Sequence, residues 1–303
     1  MFKYFKNIIL SPIHLGQSNQ GVANAPSHLS HIFHSEILNN NIKVYKVHLN
    51  HTNIEKDLLD IYSTSNYVSG TRINVGGDHS MSIATVAHTL NHHSNVKVIW
   101  IDAHADINTK YSSKSKNVHG MSLAYLSGLE SQYLKSYPFI KKRISLDDIC
   151  YIGVRSLDPF EKDVISDNNM TVITSGEVNN DPTQVLRAIE QFCGTDSHIH
   201  ISFDVDAMCP KLIPCTGTPV KNGLQVKETR FLLENILKRL NVVAMDVVEY
   251  NPDIGIQNGI LTPKRVTTAN IIQLLSDSYA INKNKIEKNL NIIPKSHILD
   301  NNK

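Results

Sequence analysis

The most regular feature of the sequence is a series of short apolar segments, each followed by a polar or glycine-rich cluster. β-Branched residues are frequent in these segments, which is typical of strands. Two of them, residues 96–101 and 242–248, are almost continuously apolar, so we expect them in the middle of a sheet, buried on both faces. The eight predicted strands are residues 8–10, 43–49, 72–75, 96–101, 149–154, 171–174, 198–203 and 242–248.

Segments with helical spacing of apolar residues lie between several of these strands. They cover about residues 80–90, 121–129, 182–192, 226–240 and 268–281. Strands that alternate with helices indicate a mostly parallel sheet with helices on both faces. We therefore predict a three-layer α/β/α fold around a mostly parallel sheet of roughly eight strands.

No repeat or Pro/Gly/Ser-rich linker divides the chain, so we predict a single α/β domain over residues 1–281. Residues 282–303 are rich in Asn and Lys, and we expect a tail that is peripheral or partly disordered.

Composition narrows the possible partners. The 303 residues include 30 basic and 28 acidic ones, a formal net charge of +2, and the basic residues are not clustered. This pattern argues against a nucleic-acid or membrane surface and favours a small-molecule partner. The apolar run near the N-terminus is too short for a secretory signal or a membrane span. Four cysteines without metal-type spacing suggest free thiols, so we expect a cytoplasmic protein.

Potential metal ligands follow three of the predicted strands. Two segments of the form Asp-x-His-x-Asp and Asp-x-Asp come after strands 96–101 and 198–203, and a Gly-Gly-Asp-His segment comes after strand 72–75. In parallel sheets the carboxyl ends of the strands form the ligand-binding edge. The predicted ligands are His79, Asp102, His104, Asp106, Asp204 and Asp206.

Four carboxylates at one edge of a sheet would repel one another unless cations lie between them. Six side chains, some bridging, suit two divalent ions about 3.5 to 4 Å apart. Oxygen-rich ligation without thiolates favours manganese over zinc, with cobalt, nickel and zinc remaining possible. Because such ions acidify a bound water molecule, the predicted chemistry is hydrolysis.

The motifs Gly-Gly-Asp-His-Ser, Asp-Ala-His-Ala-Asp and Ser-Phe-Asp-Val-Asp, in this order, resemble the ureohydrolase family, and within it the arginases. The resemblance extends from about Gly16 to about Thr268. It implies hydrolysis of L-arginine to L-ornithine and urea by attack of a hydroxide that bridges two Mn²⁺ ions. It also implies a homo-oligomer, either a trimer or a hexamer.

The resemblance also assigns roles. One ion would be held by His79, Asp102, Asp106 and Asp204, and the other by His104, Asp102, Asp204 and Asp206. The implied catalytic residues are Asp106 as proton donor to the leaving amine, His119 as proton shuttle and Glu249 as partner of the guanidinium. The implied substrate-binding residues are Asn108, Ser113 and Ser115 for the α-carboxylate, Asp158 and Glu161 for the α-ammonium, and Thr218 beside the guanidinium.

Two alternatives remain open. The chain could be another ureohydrolase, acting on agmatine, guanidinobutyrate or formiminoglutamate, or a non-catalytic metal-binding protein of the same fold. Asn108, Ser115 and Asp158 favour a substrate with both α-carboxylate and α-ammonium. The sequence departs from the arginase pattern at Lys116, where arginases generally have glycine, and at residues 207–209, where Ala-Met-Cys follows the Asp-Val-Asp motif.

Overall fold

A single sheet of eight strands, all paired in parallel, organises the protein. The computed structural model describes residues 1–255 and 262–277, and the strand order is β2-β1-β3-β8-β7-β4-β5-β6. The predicted fold class is thereby confirmed, and each predicted strand is present. The strands are β1 (Asn7–Ser11), β2 (Lys43–Lys46), β3 (Arg72–Gly76), β4 (Val96–Ile101), β5 (Ile149–Ile152), β6 (Thr171–Ile173), β7 (His198–Asp204) and β8 (Val242–Val248).

Ten α-helices lie among the described residues. They are α1 (Ala25–Ile32), α2 (His34–Asn39), α3 (Ile54–Asn66), α4 (Met81–His92), α5 (Ser122–Ser127), α6 (Pro159–Asp167), α7 (Ser175–Asn180), α8 (Pro182–Cys193), α9 (Val226–Arg239) and α10 (Thr262–Leu275).

Five of these helices, α1, α2, α3, α6 and α7, were not predicted. Four of them have fewer than ten residues, too few for a clear helical period. The predicted helix 268–281 begins earlier, as α10. Residues 278–281 and the predicted tail 282–303 lie outside the described residues, and the single-domain interpretation of residues 1–281 stays a prediction.

Alternation along the strands produces two hydrophobic cores, one on each face of the sheet. In β4, Ile99 and Ile101 face the core shared with α8 and α9, whereas Val98 and Trp100 face the core shared with α3 and α4. β4 and β8 occupy interior positions of the sheet, as their continuous apolar character predicts.

The carboxyl ends of the four central strands carry polar residues at one edge. Strands β3, β8, β7 and β4 are adjacent in the sheet, and all run in the same direction. The turn after β3 requires glycine, because a Cβ atom at Gly77 would lie 1.8 Å from the carbonyl oxygen of Ile13. This close approach turns the chain directly into the segment that carries His79. No helix among the described residues is long and apolar enough to span a membrane.

Candidate metal centre

All six predicted ligands converge at this edge of the sheet. Asp102 follows β4 directly, Asp204 is the last residue of β7, and Asp206 lies in the short 3₁₀ turn Val205–Ala207. His79 stands two residues before α4. Asp106 has a φ of 49°, a left-handed backbone that is uncommon outside glycine. This turn bends the chain after Asp102 so that both carboxylates face His79.

The first group of ligands surrounds the imidazole of His79. Its Nδ1 atom lies 3.1 Å from Oδ2 of Asp102, 2.9 Å from Oδ2 of Asp106 and 3.2 Å from Oδ2 of Asp204. The histidine is fully buried, yet its Nδ1 has no partner in hydrogen-bonding geometry. An orphaned ring nitrogen facing three carboxylate oxygens fits a cation held between them.

The second group shares Asp102 with the first. The Nδ1 atom of His104 lies 3.5 Å from Oδ1 of Asp102 and 3.1 Å from Oδ2 of Asp206. Potential metal-ligand atoms cluster within 4.8 Å in two sets, one with His79, Asp102 and Asp106 and one with Asp102, His104 and Asp206. The two sets therefore provide adjacent candidate sites joined by one carboxylate.

Hydrogen bonds from neighbouring residues orient these ligands. The Nε2 atom of His79 lies 2.8 Å from Oγ of Ser202, Trp100 Nε1 donates to Asp102 Oδ2 at 3.0 Å, and Thr218 Oγ1 donates to Asp206 Oδ2 at 2.9 Å. The imidazole of His79 also stacks on Trp100, with ring centroids 4.2 Å apart. Such contacts fix ring and carboxylate orientation before a metal ion arrives.

The electrostatics of the cluster favour bound cations. Burial raises the pKa of Asp204 well above its usual value, and the charges of Asp206 and Asp102 raise it further. Burial, together with the charge of Asp102, raises the pKa of Asp106 to about 6. Carboxylates that are too close to ionise together are the arrangement that divalent ions stabilise.

A cleft of about 300 Å³ opens from this cluster to solvent. Five of the residues predicted to bind the α-amino acid end of the substrate line it, together with Thr218, His119 and four of the ligand residues. The five are Asn108, Ser113, Ser115, Asp158 and Glu161.

Contacts inside the cleft distinguish the two acidic residues predicted for the α-ammonium. Asp158 Oδ2 accepts a hydrogen bond from Asn108 Nδ2 at 3.0 Å, so the carboxylate of Asp158 and the amide of Asn108 are adjacent in the cleft. Glu161 is 4% exposed, and its carboxylate accepts from the backbone N–H groups of Asp158, at 2.9 Å, and Ile107, at 3.4 Å. Burial raises the pKa of Glu161 to about 7. The contacts of Glu161 fix the wall of the cleft, whereas Asp158 is only partly buried and lines the open space.

Glu249 directly follows β8, and its carboxylate contacts three other residues. Its Oε1 accepts a hydrogen bond from the backbone N–H of His79 at 2.9 Å and lies 3.0 Å from Nδ1 of His119. Gln17 Nε2 donates to Oε2 at 2.5 Å. Burial would lower the pKa of His119, but Glu249 outweighs burial and raises it to about 9. Glu249 has a φ of 65°, a second left-handed residue at this edge.

The two departures from the arginase pattern have structural counterparts. Lys116 adopts a φ of 63°, the conformation that glycine takes without steric cost. Its Nζ donates to the carbonyl oxygens of Lys110 and Tyr111, and these bonds join the two ends of the loop. Cys209 is partly buried, is absent from both clusters of ligand atoms and, like the other three cysteines, is a free thiol.

Sequence reasoning missed several residues of the site. Trp100 and Ser202 lie inside strands, where their apolar neighbours make them resemble core positions. Gln17 belongs to a loop 232 residues away from Glu249 along the chain. Lys114 lies in the loop of Ser113 and Ser115 and lines the cleft. The stretch from Gly16 to Gly21 lies at the start of the resemblance to the arginases, and it is the sequence signal for Gln17.

The chain is also similar to known proteins. The sequence model of the arginase family matches residues 8–276. The chain belongs to the arginase family. Membership implies a binuclear site for divalent metals, and the His and Asp residues at the sheet edge supply its candidate ligands.

Individual arginases show how far the likeness extends. The arginase of Neurospora crassa is 37% identical over 199 residues, which cover 62% of this chain and 55% of that protein. The arginase of Entamoeba histolytica is 33% identical over 229 residues, 74% of either chain. The chain thus spans little more than half of the length of fungal arginases such as that of Neurospora crassa.

Solved arginase structures superpose over most of the chain. The Entamoeba histolytica arginase in complex with L-ornithine gives a TM-score of 0.78 at 30% identity, covering 89% of this chain and 98% of that one. The arginase of Bacillus subtilis gives 0.74 at 29% identity, covering 90% and 98%.

Proposed function

We propose that the protein hydrolyses the guanidinium group of L-arginine to L-ornithine and urea at a centre of two Mn²⁺ ions. The observation that carries this proposal is the pair of adjacent ligand sets joined by Asp102, with the orphaned Nδ1 of His79 at its core. A cleft with amide, hydroxyl and carboxylate groups leads to these ligands. The ornithine complex of the similar Entamoeba histolytica arginase supports the same substrate class.

The ions are assigned to the ligands that the resemblance predicts. The first would be held by His79, Asp102, Asp106 and Asp204, and the second by His104, Asp102, Asp204 and Asp206. Oxygen-rich ligation without thiolates supports manganese. When bound, the ions supply a water molecule acidified for attack on the guanidinium carbon and positive charge that stabilises the transition state.

The residues around the ions hold the substrate and move its protons. Glu249 pairs with the guanidinium, and this pairing replaces contacts that its carboxylate makes with Gln17 or His119. Asp106 takes the proton of the attacking hydroxide and passes it to the departing amine nitrogen, which leaves the urea carbonyl. His119 lies beside Glu249 and lines the open cleft, so its imidazole can exchange protons with solvent.

The outer cleft recognises the α-amino acid group. Asn108, Ser113 and Ser115 donate hydrogen bonds to the α-carboxylate. Asp158, with Glu161 behind it, accepts from the α-ammonium, and Thr218 holds the loop beside the guanidinium through its bond to Asp206. Charge-assisted hydrogen bonds at both groups make an amino acid a better substrate than agmatine, which lacks the carboxylate.

The test is a urea and ornithine assay of the manganese-loaded protein with L-arginine, agmatine and 4-guanidinobutyrate. We expect turnover of L-arginine to exceed that of the other two by at least tenfold. Asp204→Ala should lose both bound manganese and urea release, whereas Asp148→Asn at the surface should retain both. Preference for agmatine, or full activity of Asp204→Ala, would refute the assignment.

We further propose that the protein is a cytoplasmic homo-oligomer, a trimer or a hexamer, in which residues 1–281 form a single domain. Light scattering coupled to size-exclusion chromatography measures the mass of the particle in solution. A monomeric mass at micromolar concentration would contradict this proposal.

A further inference from the structure

The lining of the cleft is rich in acidic side chains. Five carboxylates face it, from Asp106, Asp158, Glu161, Asp204 and Asp206, against the imidazoles of His104 and His119. Lys114 is the one Lys or Arg side chain among the described residues that line the cleft. It is exposed and makes no ion pair with any described residue. Lys114 therefore brings an unpaired positive charge to an otherwise acidic cleft.

The backbone around Lys114 is held in a tight turn. The N–H of Lys116 donates to Ser113 Oγ at 3.1 Å, and that of Asn117 donates to Ser115 Oγ at 3.2 Å. The Nζ of Lys116 is tied to backbone carbonyls of the same loop. Lys116 is thus committed to the loop, whereas the ammonium group of Lys114, two positions earlier, remains available to a ligand.

The hydroxyl groups on either side of Lys114 point to the kind of ligand. Both oxygens already accept from backbone N–H groups of the turn, and they lie 3.4 Å from each other. At most one of the two hydroxyl hydrogens is used in that contact, so at least one can donate outward. Hydroxyl donors beside an ammonium group form a site for an anion.

The location in the cleft defines that anion more closely. Asp158 and Glu161 line the same cleft, and the α-ammonium of the substrate is assigned to them, so the neighbouring α-carboxylate lies close to acidic side chains. Repulsion between like charges in a partly desolvated cleft disfavours a carboxylate there. A lysine within the same lining offsets this repulsion.

We propose that Lys114 binds the α-carboxylate of the substrate and adds to the preference for guanidino amino acids over guanidino amines. This inference rests on the proposed function. The ammonium group forms a solvent-exposed ion pair with the carboxylate, in addition to the neutral donors Asn108, Ser113 and Ser115. Ion pairs of this kind contribute about 1 kcal/mol or less, equivalent to at most roughly fivefold in affinity.

The experiment compares Lys114→Met, which removes the charge, with Lys114→Arg, which keeps it. L-Arginine and L-argininamide are the substrates, because they differ in the charge at the carboxyl position. We expect Lys114→Met to lower kcat/KM for L-arginine about threefold to fivefold, mainly through KM, and to leave L-argininamide unchanged. Lys114→Arg should restore the value. The effect should shrink in 0.5 M salt, since salt screens exposed charges.

A matched control removes a charge elsewhere on the surface. Lys227 is exposed in the first turn of α9 and does not line the cleft, so Lys227→Met should leave both substrates unchanged. Equal losses for both substrates in Lys114→Met, or no loss at all, would overturn the role of Lys114 while leaving the proposed function intact.

Failure of the proposed function gives a different result. In that case the wild-type protein releases no urea from L-arginine. Titration calorimetry of the manganese-loaded protein with L-ornithine and L-ornithinamide then decides the role of Lys114 separately. Weaker binding of L-ornithine alone in Lys114→Met supports the carboxylate site, and an identical affinity in both proteins overturns it.

Discussion

At the residue scale, the candidate centre depends on side chains that the ions themselves would not touch. Ser202 contacts the far nitrogen of His79, so the histidine presents its Nδ1 atom to the three carboxylates. Left-handed backbone at Asp106 and Glu249 carries a steric cost of about 1 to 3 kcal/mol for each residue. Such strain persists because packing around the sheet edge holds both residues in place, which keeps Asp106 and Glu249 oriented without a metal ion.

Replacing Ser202 with alanine should weaken metal binding. Loss of the contact leaves the imidazole of His79 free to rotate or change tautomer, and changes of this kind reduce metal affinity about 10- to 100-fold. Manganese affinity measured by competition with a fluorescent chelator is the readout. The control is Ser197→Ala, which removes another buried serine whose hydroxyl bonds to the backbone of Cys193. Unchanged affinity in Ser202→Ala would show that packing alone orients His79.

At the element scale, a buried polar network joins α4 to three central strands behind the metal ligands. Asp246 of β8 accepts hydrogen bonds from Asn74 at 2.6 Å, Ser82 at 2.8 Å and Thr85 at 2.6 Å, and its Oδ2 lies 3.1 Å from Nε2 of His200. Burial would raise the pKa of Asp246, but His200 and the hydrogen-bond donors lower it to about 2. The carboxylate therefore holds α4, β3 and β7 in a fixed relation.

Asp246→Asn should destabilise the protein strongly. The amide cannot accept all four contacts, and breaking a buried pair costs about 3 to 5 kcal/mol. Thermal unfolding of the metal-free protein measures the loss. Asp148→Asn is the matched control, because Asp148 pairs with Lys97 at 2.7 Å near the surface and such pairs contribute at most about 1 kcal/mol. Equal melting temperatures for the two variants would contradict a structural role for the network.

Helix capping gives a separate prediction, far from the candidate centre. The side chain of Asp181 accepts hydrogen bonds from the N–H groups of Thr183 and Gln184, both at 3.0 Å, at the start of α8. Asp181→Ala should cost about 1 kcal/mol and lower the melting temperature by about 2 °C. Manganese affinity should stay at the wild-type value, and a simultaneous loss of affinity would show coupling between α8 and the sheet edge.

At the scale of the whole molecule, buried titratable groups make stability depend on pH. His88 is 5% exposed and is packed against Tyr62 and His92. Burial and the nearby charge of Arg72 lower the pKa of His88 from 6.5 to about 2. The folded state therefore keeps this imidazole neutral at pH values where the unfolded chain has bound a proton.

The sign of the effect is a loss of stability on acidification. Below the unfolded pKa of 6.5 the unfolded state binds the additional proton, so stability falls as the pH drops from 6.5 towards 2, by up to about 1.4 kcal/mol per pH unit. In His88→Gln the melting temperature should change less between pH 7.5 and pH 5.5 than in the wild type. His34→Gln, at an exposed position, should retain the wild-type slope, and so should His88→Gln if this histidine were protonated in the folded protein.

The sequence by itself determined the strands and the parallel sheet, and it predicts the candidate ligand residues. Apolar runs such as those of β4 and β8 are local signals, because a strand buried on both faces must be apolar along its whole length. The Asp and His residues follow directly after such runs, so their position at the sheet edge also follows from local sequence. The short helices were harder to predict, since fewer than three turns give no clear period.

Tertiary structure decided which groups meet at the sheet edge. Contacts between Gln17 and Glu249, or between His79 and Ser202, join residues more than 100 positions apart, and their geometry depends on strand order and helix packing. The same holds for Glu161, whose carboxylate accepts hydrogen bonds from backbone N–H groups. It also holds for Lys114, whose position in the cleft depends on the turn that Lys116 stabilises. The candidate ligands can be predicted from local sequence, whereas the hydrogen-bond partners and orientation of each side chain arise only when distant segments pack together.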